Sequence, residues 1–222
     1  LFNGKKMAGF EGDSLAASLL ANDQMLVGRS FKYHRPRGIV ASGAEEPNAL
    51  INLGDGGYFE PNARATTTET FDGLVAASQN HFPSLEFDVG AINSKLARFL
   101  PAGFYYKMFI HPRSFWKHVY EPFIRKSAGL GRAPKDRDLD KYEHYYHHCE
   151  VLVVGGGIAG IQAAKSAAAS GVRVMLVEQT AHWGGRAVVD GVTIDNTPAE
   201  EWVKTAVAQL LKMNNVVIRN RT

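Results

Sequence analysis

The sequence predicts a mixed architecture, α/β plus α+β, on three observations. Residues 150–154 (EVLVV) form an apolar β-type run that stops on three glycines, resumes as the small-residue helical stretch IQAAKSAAAS, and is followed by a second apolar run, VRVMLVE. The first roughly 60 residues instead set short extended runs and turn residues around one short helix. Between these parts lies a stretch crowded with aromatic residues. The expected division is therefore 1–70, an aromatic-rich helical connection over 71–149, and a second domain over 150–222.

In the first unit, two short strands near Leu1–Asn3 and Lys6–Gly9 flank a turn at Gly4-Lys5. Asp13 or Ser14 can cap a helix whose Leu15, Leu19 and Leu20 face inward, and extended segments are expected near Met25–Val27 and Ala49–Leu53. The loop GRSFKYHRPRGIVASGAEEPNA is basic and aromatic at first (Arg29, Lys32, His34, Arg35, Arg37) and acidic later (Glu45, Glu46). Such a run can clamp a phosphate, grip a partner, or close on itself through internal ion pairs.

The connection carries Phe104, Tyr105, Tyr106, Phe109, Phe115, Trp116, Tyr120 and Phe123. That much aromatic surface has to be covered, partly by this chain and partly by another subunit, because aromatics and arginine make good interface anchors. The tract YEHYYHHC, with His144, His147, His148 and Cys149, lacks zinc-ligand spacing, so no metal site is expected there.

Chemistry concentrates in the last segment. Gly155 allows a tight turn out of the strand, Gly157 lets backbone approach a pyrophosphate, and Gly160 lets the helix pack closely on the strand. The helix start also presents unpaired N–H groups to an anion. Gly171 suits the helix C-cap. Glu178, 23 positions after Gly155, sits near the offset at which an acid accepts hydrogen bonds from the adenosine ribose and repels the 2′-phosphate of NADP. Gly184, Gly185 and Arg186 add a second place for phosphate or ribose oxygens. The expected cofactor-binding residues are Gly155, Gly157, Ile158, Ala159, Gly160, Glu178, Gln179, Gly184, Gly185 and Arg186, with no catalytic residue. The segment continues with a helix capped by Asn196 or Thr197, with Pro198 in its first turn and Trp202, Val203, Ala206, Leu210 and Met213 on its apolar face. A strand over Val216–Ile218 follows. Only three strands of such a sheet are written, so the Rossmann-type domain is expected to be truncated, a reading the absent initiator methionine at Leu1 matches.

Composition removes several classes. A net charge of +3 with 25 Lys+Arg against 22 Asp+Glu is too mild to argue for nucleic acid. No apolar run approaches the ~18 residues of a membrane span and no secretory signal is visible. One cysteine excludes an internal disulfide framework and fits a reducing cytoplasm.

The strand, glycine loop, helix, strand, acid and glycine doublet with arginine resemble the two-dinucleotide-binding flavoproteins. The order of the N-terminal elements resembles the β-grasp domain of plant-type ferredoxins. More specifically, FEGDSLAASLLAN, RSFKYHRPRG, EEPNAL, EPNARATT, QNHFPSLEFDVGAIN, LPAGFYYK and YEPFIRKSAGLGRAP are similar to the α subunits of heterotetrameric sarcosine oxidases, a resemblance that runs along the whole chain. It implies oxidative demethylation of sarcosine to glycine and hydrogen peroxide, FAD and FMN elsewhere in the complex, and transfer of the one-carbon unit to tetrahydrofolate. It also implies β, γ and δ partner subunits, with this segment holding NAD and supporting assembly; the glycine doublet before Arg186, at home in FAD sites, gives FAD as the alternative at the same site. Related dehydrogenase subunits hold a two-iron two-sulfur cluster on four thiolates. With Cys149 the chain's one thiol, the N-terminal unit is expected to have no iron-sulfur cluster. A related amine or opine dehydrogenase subunit and a non-catalytic assembly subunit remain open alternatives.

Overall fold

The computed structural model describes residues 1–128 and 133–222, which group into two compact units, Leu1–Tyr142 and Glu143–Thr222. Residues 71–142, set apart above as a connection, belong by contact to the first unit.

The first unit opens with a tight turn at Asn3-Gly4, both with positive φ, that pairs Phe2 with Lys5. The turn lies one residue earlier than expected because asparagine followed by glycine is the pair that tolerates two left-handed residues in succession. Helix α1 (Leu15–Ala21) is capped by Ser14, whose hydroxyl accepts a hydrogen bond from the Ala17 N–H at 3.2 Å. Leu15 and Leu19 are buried one turn apart, whereas Leu20, a step around the helix, is left exposed. Strands β1 (Gly28–Arg29) and β2 (Pro36–Arg37) form a small antiparallel pair. Strand β3 (Leu50–Leu53) lies between β4 (Glu60–Arg64) and β5 (Ala76–Ala77), antiparallel to both. Phe2, Leu19, Val27, Ile51 and Leu85 fill the core they share.

The basic loop closes on its own unit. The Arg29 guanidinium donates to the carbonyls of Leu85, Glu86 and His34 at 2.7–3.2 Å. Lys32 Nζ donates to the Pro101 carbonyl at 2.8 Å and lies over the Phe104 ring, and the Tyr33 hydroxyl donates to the Leu100 carbonyl. His34 Nδ1 meets the buried Asp88 carboxylate at 2.7 Å. Glu46, almost wholly buried, accepts the N–H groups of Val40, Ala41, Asn48 and Ala49 at 2.7–3.2 Å. These cations are spent on carbonyls that end short segments, so the loop fastens residues 82–104 to the sheet.

Further along come the short helices α2 (Ile92–Lys95) and α3 (Phe104–Met108), then α4 (Glu121–Ala128). Phe109 packs against Phe104 and Tyr120, while Phe115, Trp116 and Phe123 are exposed. Tyr105 and Tyr106 lie outside the described side chains.

In the second unit, β6 (Val151–Val154) leads into α5 (Ile158–Ala169) and then β7 (Val174–Glu178). Helix α6 (Arg186–Val189) and the hairpin of β8 (Thr193–Ile194) and β9 (Thr197–Pro198) precede α7 (Ala199–Leu211) and β10 (Val216–Asn220). The sheet is parallel in the order β10-β7-β6, with Val151, Val174 and Val216 in line. Ile161, Ala164 and Ala168 of α5 and Val203, Ala206 and Leu210 of α7 bury their stripes against one face of it. Thr197 and Pro198 are hairpin rather than cap and first turn. Asp195 and Asn196 both have positive φ, which makes them a two-residue hairpin turn, and the helix starts only at Ala199. The segment 143–149 carries no regular structure, and among the described residues no group of three or more His, Cys, Asp or Glu could hold a metal ion.

Candidate dinucleotide site

The three motif glycines have three different surroundings. Gly155, directly after β6, has φ +104, a conformation other residues avoid. Gly157 has an ordinary extended conformation, and a Cβ built on it would meet nothing within 4 Å, which leaves open space over the start of α5. At Gly160 a Cβ would stand 1.9 Å from the Gly155 carbonyl oxygen, so bare backbone is what lets helix and strand approach. The first N–H groups of α5 precede the first intrahelical bond, which the Ile161 N–H makes to the Gly157 carbonyl at 2.9 Å.

The second glycine pair is built onto the first. The Gly184 N–H donates to the Gly156 carbonyl at 2.8 Å, Gly157 and Gly184 form a bridge, and a Cβ on Gly185 would touch Gly157 Cα at 3.4 Å. The two motifs, read separately in the sequence, thus make one wall. Gly156, between two of the motif glycines, has its own reason to be bare backbone. The Trp183 ring lies over it, and a Cβ there would be 2.4 Å from Trp183 Cε3.

Glu178, at the end of β7 and 9% exposed, ties this wall to the sheet. Its Oε2 accepts the Gly156 N–H at 2.6 Å; its Oε1 accepts the Thr180 N–H at 2.8 Å and lies 2.9 Å from Thr180 Oγ1. Burial pushes the carboxyl pKa up, but the N–H groups of Thr180 and Gly156 and the Thr180 hydroxyl outweigh it and hold the pKa below the ordinary value. The Gln179 N–H adds to the same effect, so the group is an anion surrounded by donors. Ile158 is half-buried against the core, whereas Ala159 and Gln179 are exposed. Arg186 turns its guanidinium to Asp190, one helical turn on, at 3.2 and 3.3 Å.

Three participants escape a sequence reading. Gly156 supplies the N–H on Glu178, Thr180 supplies two donors, and Trp183 covers the loop. Only Thr180 leaves a signal, a hydroxyl residue two positions past the acid.

Fold and site define a class. Residues 1–81 match the family model described as a 2Fe-2S iron-sulfur cluster binding domain, and residues 150–220 match that of FAD dependent oxidoreductases. The chain is a homologue of sarcosine oxidase alpha subunits. It is 51% identical over 221 residues to sarcosine oxidase subunit alpha of Rhizobium meliloti (strain 1021), covering 100% of this chain and 22% of that protein. The corresponding subunit of Corynebacterium sp. (strain U-96) is 30% identical over 99% of this chain and 18% of its own length. The chain thus spans about a fifth of the length of these curated relatives. The crystal structure of L-proline dehydrogenase from P. horikoshii shares the fold, with a TM-score of 0.52 at 19% identity over 99% of this chain and 32% of that one.

These matches correct the cofactor expectation. The N-terminal domain is of the 2Fe-2S-binding family, against the expectation of no iron-sulfur cluster, and the nucleotide domain is of the FAD-dependent family, where NAD was expected first. The expectation of no cluster rests on a missing residue type, whereas the match rests on the remaining pattern of the domain. Residues 1–81 contain no cysteine, and Cys149 lies outside the matched segment, so four thiolates for a cluster are not among these residues. No helix among the described residues is long and apolar enough to cross a membrane.

Proposed function

We propose that residues 150–222 hold the ADP half of FAD, with the pyrophosphate over Gly157 and the start of α5 and the adenosine ribose on Glu178. The observation that carries this reading is the pairing of open space at Gly157 with an anionic, buried acid at the end of the next strand. FAD supplies a two-electron acceptor when bound. This chain's contribution is to seat it: Gly155–Gly160 and the Gly184-Gly185 wall shape the phosphate site, and Glu178 selects a ribose without a 2′-phosphate. Ile158, Ala159, Gln179 and Arg186 border the site. Arg186 is paired with Asp190.

The whole-length similarity to sarcosine oxidase alpha subunits supports a wider reading. In it the chain is the alpha-subunit portion of a complex, with beta, gamma and delta partners in the cytoplasm, that demethylates sarcosine oxidatively to glycine and hydrogen peroxide. The methyl carbon passes to tetrahydrofolate. The segment itself carries no amine-oxidation site in this reading, and the first sheet with α1 is a β-grasp unit used for assembly.

Two measurements test these statements. Titration of the chain with FAD should give one site per chain, and no binding would remove the nucleotide reading. Oxygen uptake with sarcosine by the complex that contains this chain should yield hydrogen peroxide, and turnover only with another acceptor would favour an amine or opine dehydrogenase.

A further inference from the structure

The first unit gathers its unpaired polar atoms in one place. Among the described residues, four buried side-chain atoms have no hydrogen-bond partner: Asn52 Oδ1, Gln79 Oε1, Asn80 Oδ1 and His81 Nδ1. All four residues line a single open cavity of about 1680 Å³ within this unit. A buried polar atom without a partner is rare in a folded protein because its lost hydration goes uncompensated, so four around one cavity call for an occupant that pairs with them.

Their chemistry is one-sided. Three are amide oxygens, which only accept. The Ser78 hydroxyl donates to Asn3 Oδ1 at 3.1 Å, so His81 Nε2, 2.7 Å from Ser78 Oγ, is the ring nitrogen that carries a proton, and Nδ1 is left an acceptor. The remaining lining is apolar. Phe31, Phe82, Leu96 and Phe99 border the same cavity and are 42–73% exposed, which is more apolar surface in one place than scattered surface side chains give. An apolar cavity with a few acceptors that lack donors selects a molecule with an apolar body and N–H or O–H groups.

We propose that this cavity binds a small aromatic molecule that donates hydrogen bonds, an aryl alcohol or aryl amide in class, and that Asn52 selects the donor. Gln79, Asn80 and His81 are each tethered at their other polar atom, to Asn62 Oδ1 at 2.9 Å, to the Arg29 carbonyl at 3.0 Å and to Ser78 Oγ at 2.7 Å. No such bond to a described residue holds the Asn52 amide, and the terminal torsion of an asparagine is broad. The backbone of Asn52 is fixed in β3 opposite Ala77, so the amide can turn its oxygen to a bound donor while the sheet stays in place. In the unliganded protein that oxygen has no partner to lose, and its contribution comes with the ligand.

The experiment is calorimetric titration of the wild-type chain and Asn52→Leu with 2-naphthol and with 2-methoxynaphthalene, the same ring system without a donor, alongside thermal unfolding of both proteins. The wild type should bind 2-naphthol saturably at one site. The ratio of its affinity to that of the methyl ether should fall about fivefold in Asn52→Leu, the loss of one hydrogen bond. The Tm of unliganded Asn52→Leu should match or exceed that of the wild type, whereas a residue that merely holds the sheet would lower it. No saturable binding of 2-naphthol, an unchanged ratio in Asn52→Leu, or a lower Tm in that variant overturns the proposal. Binding that FAD abolishes would place the probe in the second unit, and dimerisation of the chain that blocks 2-naphthol would give the cavity to a second copy; either result overturns it.

Discussion

Replacing Gly160 by alanine places a methyl carbon 1.9 Å from the Gly155 carbonyl oxygen, a backbone atom at the end of β6 with no rotamer to turn into. Contact between such atoms begins beyond about 3 Å, so α5 must lift off the strand by more than about an ångström. The lift opens the contact made by Ile161 and Ala164, both fully buried. Overpacking of this kind costs about 1–3 kcal/mol, here toward the upper end because nothing flexible gives way. The better helix propensity of alanine returns about 1 kcal/mol, which leaves a net loss of roughly 2 kcal/mol and a Tm about 10 °C lower for a unit of this size. Gly157→Ala is its counterpart. There the new Cβ meets nothing within 4 Å and φ is −70°, so stability should change by less than about 0.5 kcal/mol while FAD affinity falls, because the methyl group occupies the pyrophosphate's space. Scanning calorimetry of the three proteins with parallel FAD titrations separates the two effects. Equal loss of Tm in both variants, or an unchanged Tm in Gly160→Ala, would refute this assignment of packing to one glycine and ligand space to the other.

Further outcomes follow from the buried acids and the basic loop. Glu46→Gln turns an N–H group toward backbone N–H donors and should destabilise the first unit by about 3 kcal/mol, measured by urea unfolding at pH 7. Burial pushes the Glu46 carboxyl up, but the N–H groups of Ala41, Asn48, Val40 and Ala49 hold it below the ordinary 4.5. A depressed folded pKa gives stability that is full above the unfolded value and lost as pH falls through the folded one, so wild-type stability should drop below about pH 4.5. That slope should flatten in Glu46→Gln; an equal slope would exclude Glu46 as its source. Glu178, held down by its own donors, should give the second unit the same acid dependence, and Glu178→Gln should reduce it. Arg29→Lys keeps the charge but cannot reach three carbonyls at once, so hydrogen exchange at 85–90 should quicken while that of β7 does not.

What could be read beforehand depends on how local its cause is. The run from β6 through α5 to β7, its acid and its doublet carries its own periodicity and glycine spacing, and the structure places them as expected. Strands of two residues such as β1, β2 and β5 have no period to detect, and the contact that ties Arg29 of β1 to the carbonyls of Leu85 and Glu86 is far away in sequence. The Asp195-Asn196 turn was legible in principle, since both residues tolerate positive φ, but Pro198 two positions on drew the reading toward a helix start. Arg186 beside two glycines suggested phosphate, although an aspartate four residues on is an ordinary i,i+4 partner. Trp183 over Gly156 is a tertiary fact with no local signature. The cofactor expectation failed for another reason, in that it weighed one absent residue type above the pattern of a whole domain.

The central claim is that one wall, made of the loop after β6 and the doublet before α6, seats FAD. Hydrogen exchange of the chain with and without FAD addresses it residue by residue. FAD should slow exchange at Gly156–Gly160 and at Gly184–Arg186, and leave the 40–49 loop of the first unit unchanged. FAD that binds with no protection at these glycines, or with protection confined to the first unit, would contradict it.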